Sequence, residues 1–188
     1  VADDRQILRQ FKPEEDSKLA TTYGPDGAVS EDGKWLVLGY ATDTRNNDLF
    51  VADFAQWKTS GKLTRISVAE GLAASFAGDV HGDVLYMLTT LEAPNGRIVA
   101  VDLKNPGKDK WKVLVPQNPD GGVIQGFKVV KDILCVTYLK NASSSIDTFD
   151  LSGKFRQSLR LPGIGSATLA AESDRYEAYL NFTSYNYP

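Results

Sequence analysis

A hydrolytic serine needs a histidine base and a sharp turn that exposes its hydroxyl, a pattern often written G-x-S-x-G. The only histidine of the sequence is His81, set in DVHGDV among turn residues, where a solvated hairpin position is expected. The nearest serine motif, GIGSATL at 163–169, does not fit the pattern. A lone histidine on a turn also argues against a zinc site. The single cysteine, Cys135, rules out an intrachain disulfide, and its place inside the apolar run ILCVTYL marks it as a small buried hydrophobe. TSGKL at 59–63 and LSGKF at 151–155 share Ser-Gly-Lys with phosphate loops, yet lack the upstream glycine, the following Ser or Thr, and the helix. Both are expected to be hairpin turns.

Other polar clusters read the same way. ATDTRNNDLF at 41–50 crowds Asp43, Asn46, Asn47 and Asp48, but Arg45 stands where a calcium loop needs its next ligand, so a polar hairpin loop is expected. Asn141 in NAS and Asn181 in NFT match the glycosylation triplet, which carries little weight without a secretory signal. Glu14, Glu15 and Asp16 follow Pro13 as the acidic first turn of a short helix or as a solvated linker. From these readings no catalytic residue, metal ligand or cofactor is assigned.

The elements that would position any site come from composition and repetition. The chain has 188 residues, a net charge of −3, 42% hydrophobic and 24% charged residues. That is enough to bury a core, and it carries no basic footprint for nucleic acid or an anionic membrane. Its apolar runs fall far short of the ~20 residues of a membrane span. The opening VADDRQ is charged and resembles no signal peptide, so the expected location is the cytoplasm, or the periplasm if a signal has been removed.

Self-similarity is strong. VADF at 51–54, AVDL at 100–103 and TFDL at 148–151 place Asp53, Asp102 and Asp150 about 49 residues apart. Each is preceded by an apolar run, WLVLGYA, VLYMLTTL or ILCVTYL, in which Leu36, Leu85 and Leu134 keep the same period. A fourth copy, YEAYLNFTS at 176–184, follows. The runs are short and rich in Val, Ile, Tyr, Phe and Thr, which predicts strands. Further strands are expected at SFAGDV (75–80) and IQGFKVV (124–130) before them, and at LTRISV, WKVLVP and RQSLRLP after them.

Four antiparallel strands repeated at this period predict an all-β fold of β-propeller blades, about 3.5–4 of them. The blade units run roughly 24–68, 74–116, 122–162 and 167–188, the last incomplete, with residues 1–20 as the end of a preceding blade or a linker. RQILRQF (5–11) could supply a stray outer strand to the incomplete blade. The repeated aspartates are expected to accept backbone N–H bonds where each strand ends.

The order of GAVSEDGKWLVLGYA, NPGKDKWKVLVP, ILCVTYLKNASS, LPGIGSATL and YLNFTSYNYP resembles the propeller domain of the prolyl oligopeptidases, serine peptidases of family S9, from about Thr21 to Pro188. The resemblance implies part of a seven-bladed propeller whose partner is an α/β-hydrolase domain of the same parent protein, where the catalytic residues lie. It implies a non-catalytic segment that gates the access of short proline-containing peptides. The rim candidates are the 41–47 loop and Thr22-Tyr23-Gly24, with Tyr23 and Thr44 as the named residues. An open arc of blades also implies self-association through exposed blade faces, which a closed four-bladed ring would not. The alternative is a free-standing small propeller that binds a protein or ligand.

Overall fold

The computed structural model describes residues 6, 7, 9–21 and 23–185. They form two compact units, one running to Leu91 and including Val101–Trp111, the other made of Glu92–Ala100 and the chain from Lys112 onward.

The first unit opens with a complete antiparallel sheet of order β1-β2-β3-β4: β1 (Gly24–Val29), β2 (Trp35–Ala41), β3 (Asn47–Asp53) and β4 (Arg65–Ala69). Leu36, Leu38 and Tyr40 alternate onto one face of β2, where they cluster with Phe50 and Ala52 of β3 and with Leu19. Ile7, Phe11, Phe54 and Leu63 pack against the same cluster. Val37, Leu49 and Val51 are buried on the other face. Burial on both faces explains why β2 reads as a nearly continuous apolar run, each large side chain contributing roughly 1.5–3 kcal/mol.

β1 was not legible as a strand, because GPDGAV has the composition of a turn. It sits at the sheet edge and pairs only with β2, so Pro25 costs the ladder nothing. The N-terminal RQILRQF is partly outside the described residues; residues 6, 7 and 9–11 form no strand, and Ile7 and Phe11 lie on the β2–β3 face instead.

The step from β3 to β4 corrects one expectation. A seven-residue helix, α1 (Phe54–Ser60), occupies it, and TSGKL is the end of that helix rather than a hairpin turn. Asp53 caps it, its Oδ1 accepting the Gln56 N–H at 2.8 Å, while Gly61 at φ 69° closes it through an N–H bond to the Trp57 carbonyl. The unit continues with the hairpin β5 (Phe76–His81) and β6 (Val84–Thr89), in which β5 packs on β2 and β3.

The second sheet has the order β5-β6-β7-β8, with β7 (Arg97–Asp102) and β8 (Lys112–Val115), and the boundary between the two compact units runs through it. The second unit holds a third sheet of order β12-β11-β10-β9, made of β9 (Val123–Val130), β10 (Ile133–Lys140), β11 (Ser143–Asp150) and β12 (Phe155–Ser158). The β10–β11 hairpin turns on Asn141 and Ala142, both at positive φ, the geometry of a type I′ turn. The pair β13 (Ser166–Ala171) and β14 (Ala178–Thr183) follows. Ala167, Leu169 and Phe182 of this pair pack with Val130, Cys135 and Ile146, so Cys135 is a core residue whose thiol burial pushes up in pKa. The architecture is all-β and built from four-stranded antiparallel sheets, as the repeat predicted.

Candidate functional site

The repeated aspartates do what strand endings require. Beyond the Asp53 cap, Asp102 Oδ1 accepts the Lys104 N–H at 2.9 Å. Asp150 Oδ1 accepts from Ser152 N–H, Ser152 Oγ and Lys154 N–H at 2.9, 2.6 and 3.0 Å, and these bonds hold its carboxyl below the usual range. A carboxylate so occupied is a structural terminator rather than a general acid.

The residues weighed for catalysis belong to different compact units, His81 to the first and Ser166 to the second. His81 ends β5, half-buried and opposite Val84 across the hairpin. Ser166 of GIGSATL begins β13 and pairs with Thr183 on β14, with no turn into a helix behind it. The preceding Gly165 exchanges hydrogen bonds with the Ser143 hydroxyl at 3.3 Å.

The two rim candidates share one end of the first sheet. Register pairs Gly24 with Ala41 and Ala41 with Asn47, so β1 begins, β2 ends and β3 begins together there. Tyr23 donates its N–H to the Ala41 carbonyl at 2.8 Å, and the residue is 73% exposed. Thr44 is exposed in the β2–β3 loop; Thr22 lies outside the described residues. The loop is held from within. Asp43 accepts from the Arg45 and Asn46 backbone N–H groups and from Asn46 Nδ2 at 2.7, 2.9 and 2.6 Å, which lowers its pKa, the Arg45 N–H bond first among the causes. Its neighbour Asp48 is buried and accepts the Gly71 N–H at 2.8 Å.

At the same end Asn47 reaches β5. Its Oδ1 accepts the Phe76 N–H at 2.8 Å, its Nδ2 donates to the Phe76 carbonyl at 3.0 Å, and its own N–H donates to Ala74 O. Equivalent joints recur in the second unit. Asn95, just before β7, gives its carbonyl to the Ile124 N–H of β9. Ser144 of β11 gives its hydroxyl oxygen to the Ala167 N–H of β13 at 2.9 Å. Residues 47, 95 and 144 follow the repeat, and each links its sheet to the first strand of the next. Sequence reasoning passed over this; the signal was a small polar residue entering the third strand at the repeat period. Beside the first joint lies a cleft of about 340 Å³ lined by Gly24, Asp26, Gly27, Gly39, Leu49 and Phe76, among others.

Four-stranded antiparallel sheets at a fixed period, each joined at one end to the next first strand, define a β-propeller. The chain belongs to the prolyl oligopeptidase N-terminal β-propeller family, whose family model matches residues 13–188. A prolyl endopeptidase of Elizabethkingia miricola is 30% identical over 171 residues, covering 86% of this chain and 22% of the relative. The prolyl endopeptidase of Elizabethkingia meningoseptica is 28% identical over 169 residues, covering 85% of this chain and 22% of the relative. Among solved structures, one from a mechanistic study of two prolyl endopeptidases superposes with a TM-score of 0.79 at 29% identity, covering 88% of this chain and 23% of that one. Prolyl oligopeptidase B of Galerina marginata, bound to a 35mer hydrolysis and macrocyclization substrate, shares the fold with a TM-score of 0.77 at 22% identity, covering 86% of this chain and 23% of its own. The chain thus spans under a quarter of the length of the relatives it matches.

Proposed function

We propose that this chain is the propeller portion of a prolyl oligopeptidase-type serine peptidase, without catalytic residues of its own, and that it gates the access of short proline-containing peptides to an active site in a separate α/β-hydrolase domain. The observation that carries the reading is the family match over residues 13–188 together with the small share, 22%, of the curated relatives that the chain spans. The occupied aspartates, and a Ser166 that begins a strand with no turn into a helix behind it, support a scaffold rather than an active site. In this reading Tyr23 and Thr44 belong to the rim that faces the hydrolase domain, supported by their exposure at one end of the first sheet.

The gate is tested in the enzyme encoded by the full reading frame. Shortening the 42–46 loop is expected to raise the cleavage of long proline-containing peptides relative to short ones. An unchanged length preference would refute the gate, and a reading frame with no hydrolase region would favour a free-standing binding module.

A further inference from the structure

Within the first unit, the first sheet and β5 are held together at two ends by bonds of opposite character. At the β2–β3 loop end the fastening is neutral and partly buried: Asn47 is bonded both ways to Phe76, and its N–H meets Ala74 O. At the other end, beyond the six residues of β5 and about 17–20 Å away, the fastening is an ion pair. Lys34 Nζ, just before β2, lies 3.1 Å from Asp83 Oδ1 in the β5–β6 turn. The Lys34 side chain is 59% exposed and that of Asp83 36%, so solvent ions reach the pair. Asp83 is also held by Lys104 at 3.2 Å through its other oxygen, a partner that follows β7 of its own sheet. Beside the Asn47 joint, a cleft of about 340 Å³ is lined by Gly24, Gly27 and Gly39 of the first sheet and by Phe76, Ala77 and Gly78 of β5.

A neutral two-way amide joint does not weaken with salt, whereas an exposed ion pair contributes little and is screened. Once the pair is released, the Asn47 joint at the opposite end of β5 is the point about which the two can turn. We propose that β5 and the first sheet rock about the Asn47–Phe76 joint, and that the Lys34–Asp83 pair is the end that ionic strength releases. Asp83 then stays with its own sheet, where the Leu103 N–H donates to the Asp83 carbonyl at 3.0 Å and keeps Lys104 beside it, while Lys34 moves away.

A zero-length carbodiimide reads this directly, because it joins a lysine to a carboxylate only when the two are in contact. Asp83 has one lysine partner on each sheet, so the ratio of Lys34–Asp83 to Lys104–Asp83 cross-links, measured by peptide mass spectrometry on the 188-residue chain, has its own control. Raising the salt from about 20 mM to about 500 mM shortens the Debye length from roughly 20 Å to about 4 Å and is expected to lower the ratio by about threefold or more. Over the same range the Phe76 amide is expected to keep its protection from hydrogen exchange. A constant ratio would show simple screening of both pairs and overturn the proposal. Loss of Phe76 protection together with a falling ratio would show the sheets parting as a whole, which overturns the pivot.

Discussion

Asn47 and Phe76, 29 residues apart, are joined by both halves of one side-chain amide, at 2.8 and 3.0 Å to the N–H and carbonyl of a single peptide residue. A side chain here stands in for a strand: it supplies the β5 backbone with the donor and acceptor that a neighbouring ladder would provide. The joint therefore couples the loop carrying Thr44 to the next sheet.

Asn47→Ala removes both bonds and leaves two partly buried backbone groups without partners. It is expected to destabilise the first unit by about 2–3 kcal/mol in urea denaturation. Asn47→Asp keeps the acceptor for the Phe76 N–H but sets a carboxylate against the Phe76 carbonyl, so it is expected to rescue little. Thr44→Ala, at an exposed loop position, is expected to stay within about 0.5 kcal/mol.

Gly78 and Gly126 make a matched pair of strand glycines. A Cβ on Gly78 would come within 2.7 Å of the Tyr86 carbonyl oxygen and 2.8 Å of Leu85 Cδ1, whereas one on Gly126 meets nothing within 4 Å. Gly78→Ala is expected to lower stability by about 1–3 kcal/mol, and Gly126→Ala to leave it unchanged or slightly raised. Equal effects in thermal melts would contradict the close approach at β5.

Arg65 ties the segment before β1 to the sheet. Its guanidinium lies 5.0 Å from the Phe11 ring, 5.8 Å from Tyr40 and 5.6 Å from Phe50, and 3.7 Å from Asp16. Arg65→Ala is expected to cost about 1–2 kcal/mol and to expose the region around Phe11 to limited proteolysis. Arg65→Lys, lacking the planar face, is expected to restore only part of the protection.

Two limbs of the pH–stability curve follow from shifted groups. Asp43, Asp83 and Asp150 all titrate below their usual value in the folded chain, so their stabilisation is present above the unfolded carboxylate pKa and is lost as pH falls through the folded values. Asp150→Asn is expected to flatten this acid limb. Tyr138 behaves oppositely: burial, with Asp147 adding to it, pushes its phenol up to about 12. Its contribution is whole below the unfolded pKa near 10 and is lost as pH rises towards 12. Tyr138→Phe is expected to remove that alkaline loss, as followed by circular dichroism.

The sheets were legible because their evidence is local and repeated. Asp53, Asp102 and Asp150 each close a strand with their own side chain, so the same requirement wrote the same letter at the same period. Helix α1 was hidden because FAQWKTS is under two turns long and none of its residues is buried, so its pattern is short and its ends are set by the two caps. β1 was hidden because an edge strand tolerates Gly, Pro and Asp. The Asn47, Asn95 and Ser144 joints were hidden for another reason: their partners are backbone atoms far along the chain, so the one trace in the sequence is a small polar residue at the repeat period, with nothing at the partner position to match it.

The central claim is a propeller that serves peptide hydrolysis without performing it, and the most direct measurement is turnover of a blocked Gly-Pro chromogenic peptide by the 188-residue chain beside the product of its full reading frame. The account predicts no turnover by the chain alone, and turnover by the full-length product that a serine-directed phosphonate abolishes. Phosphonate-sensitive turnover by the chain alone would contradict it.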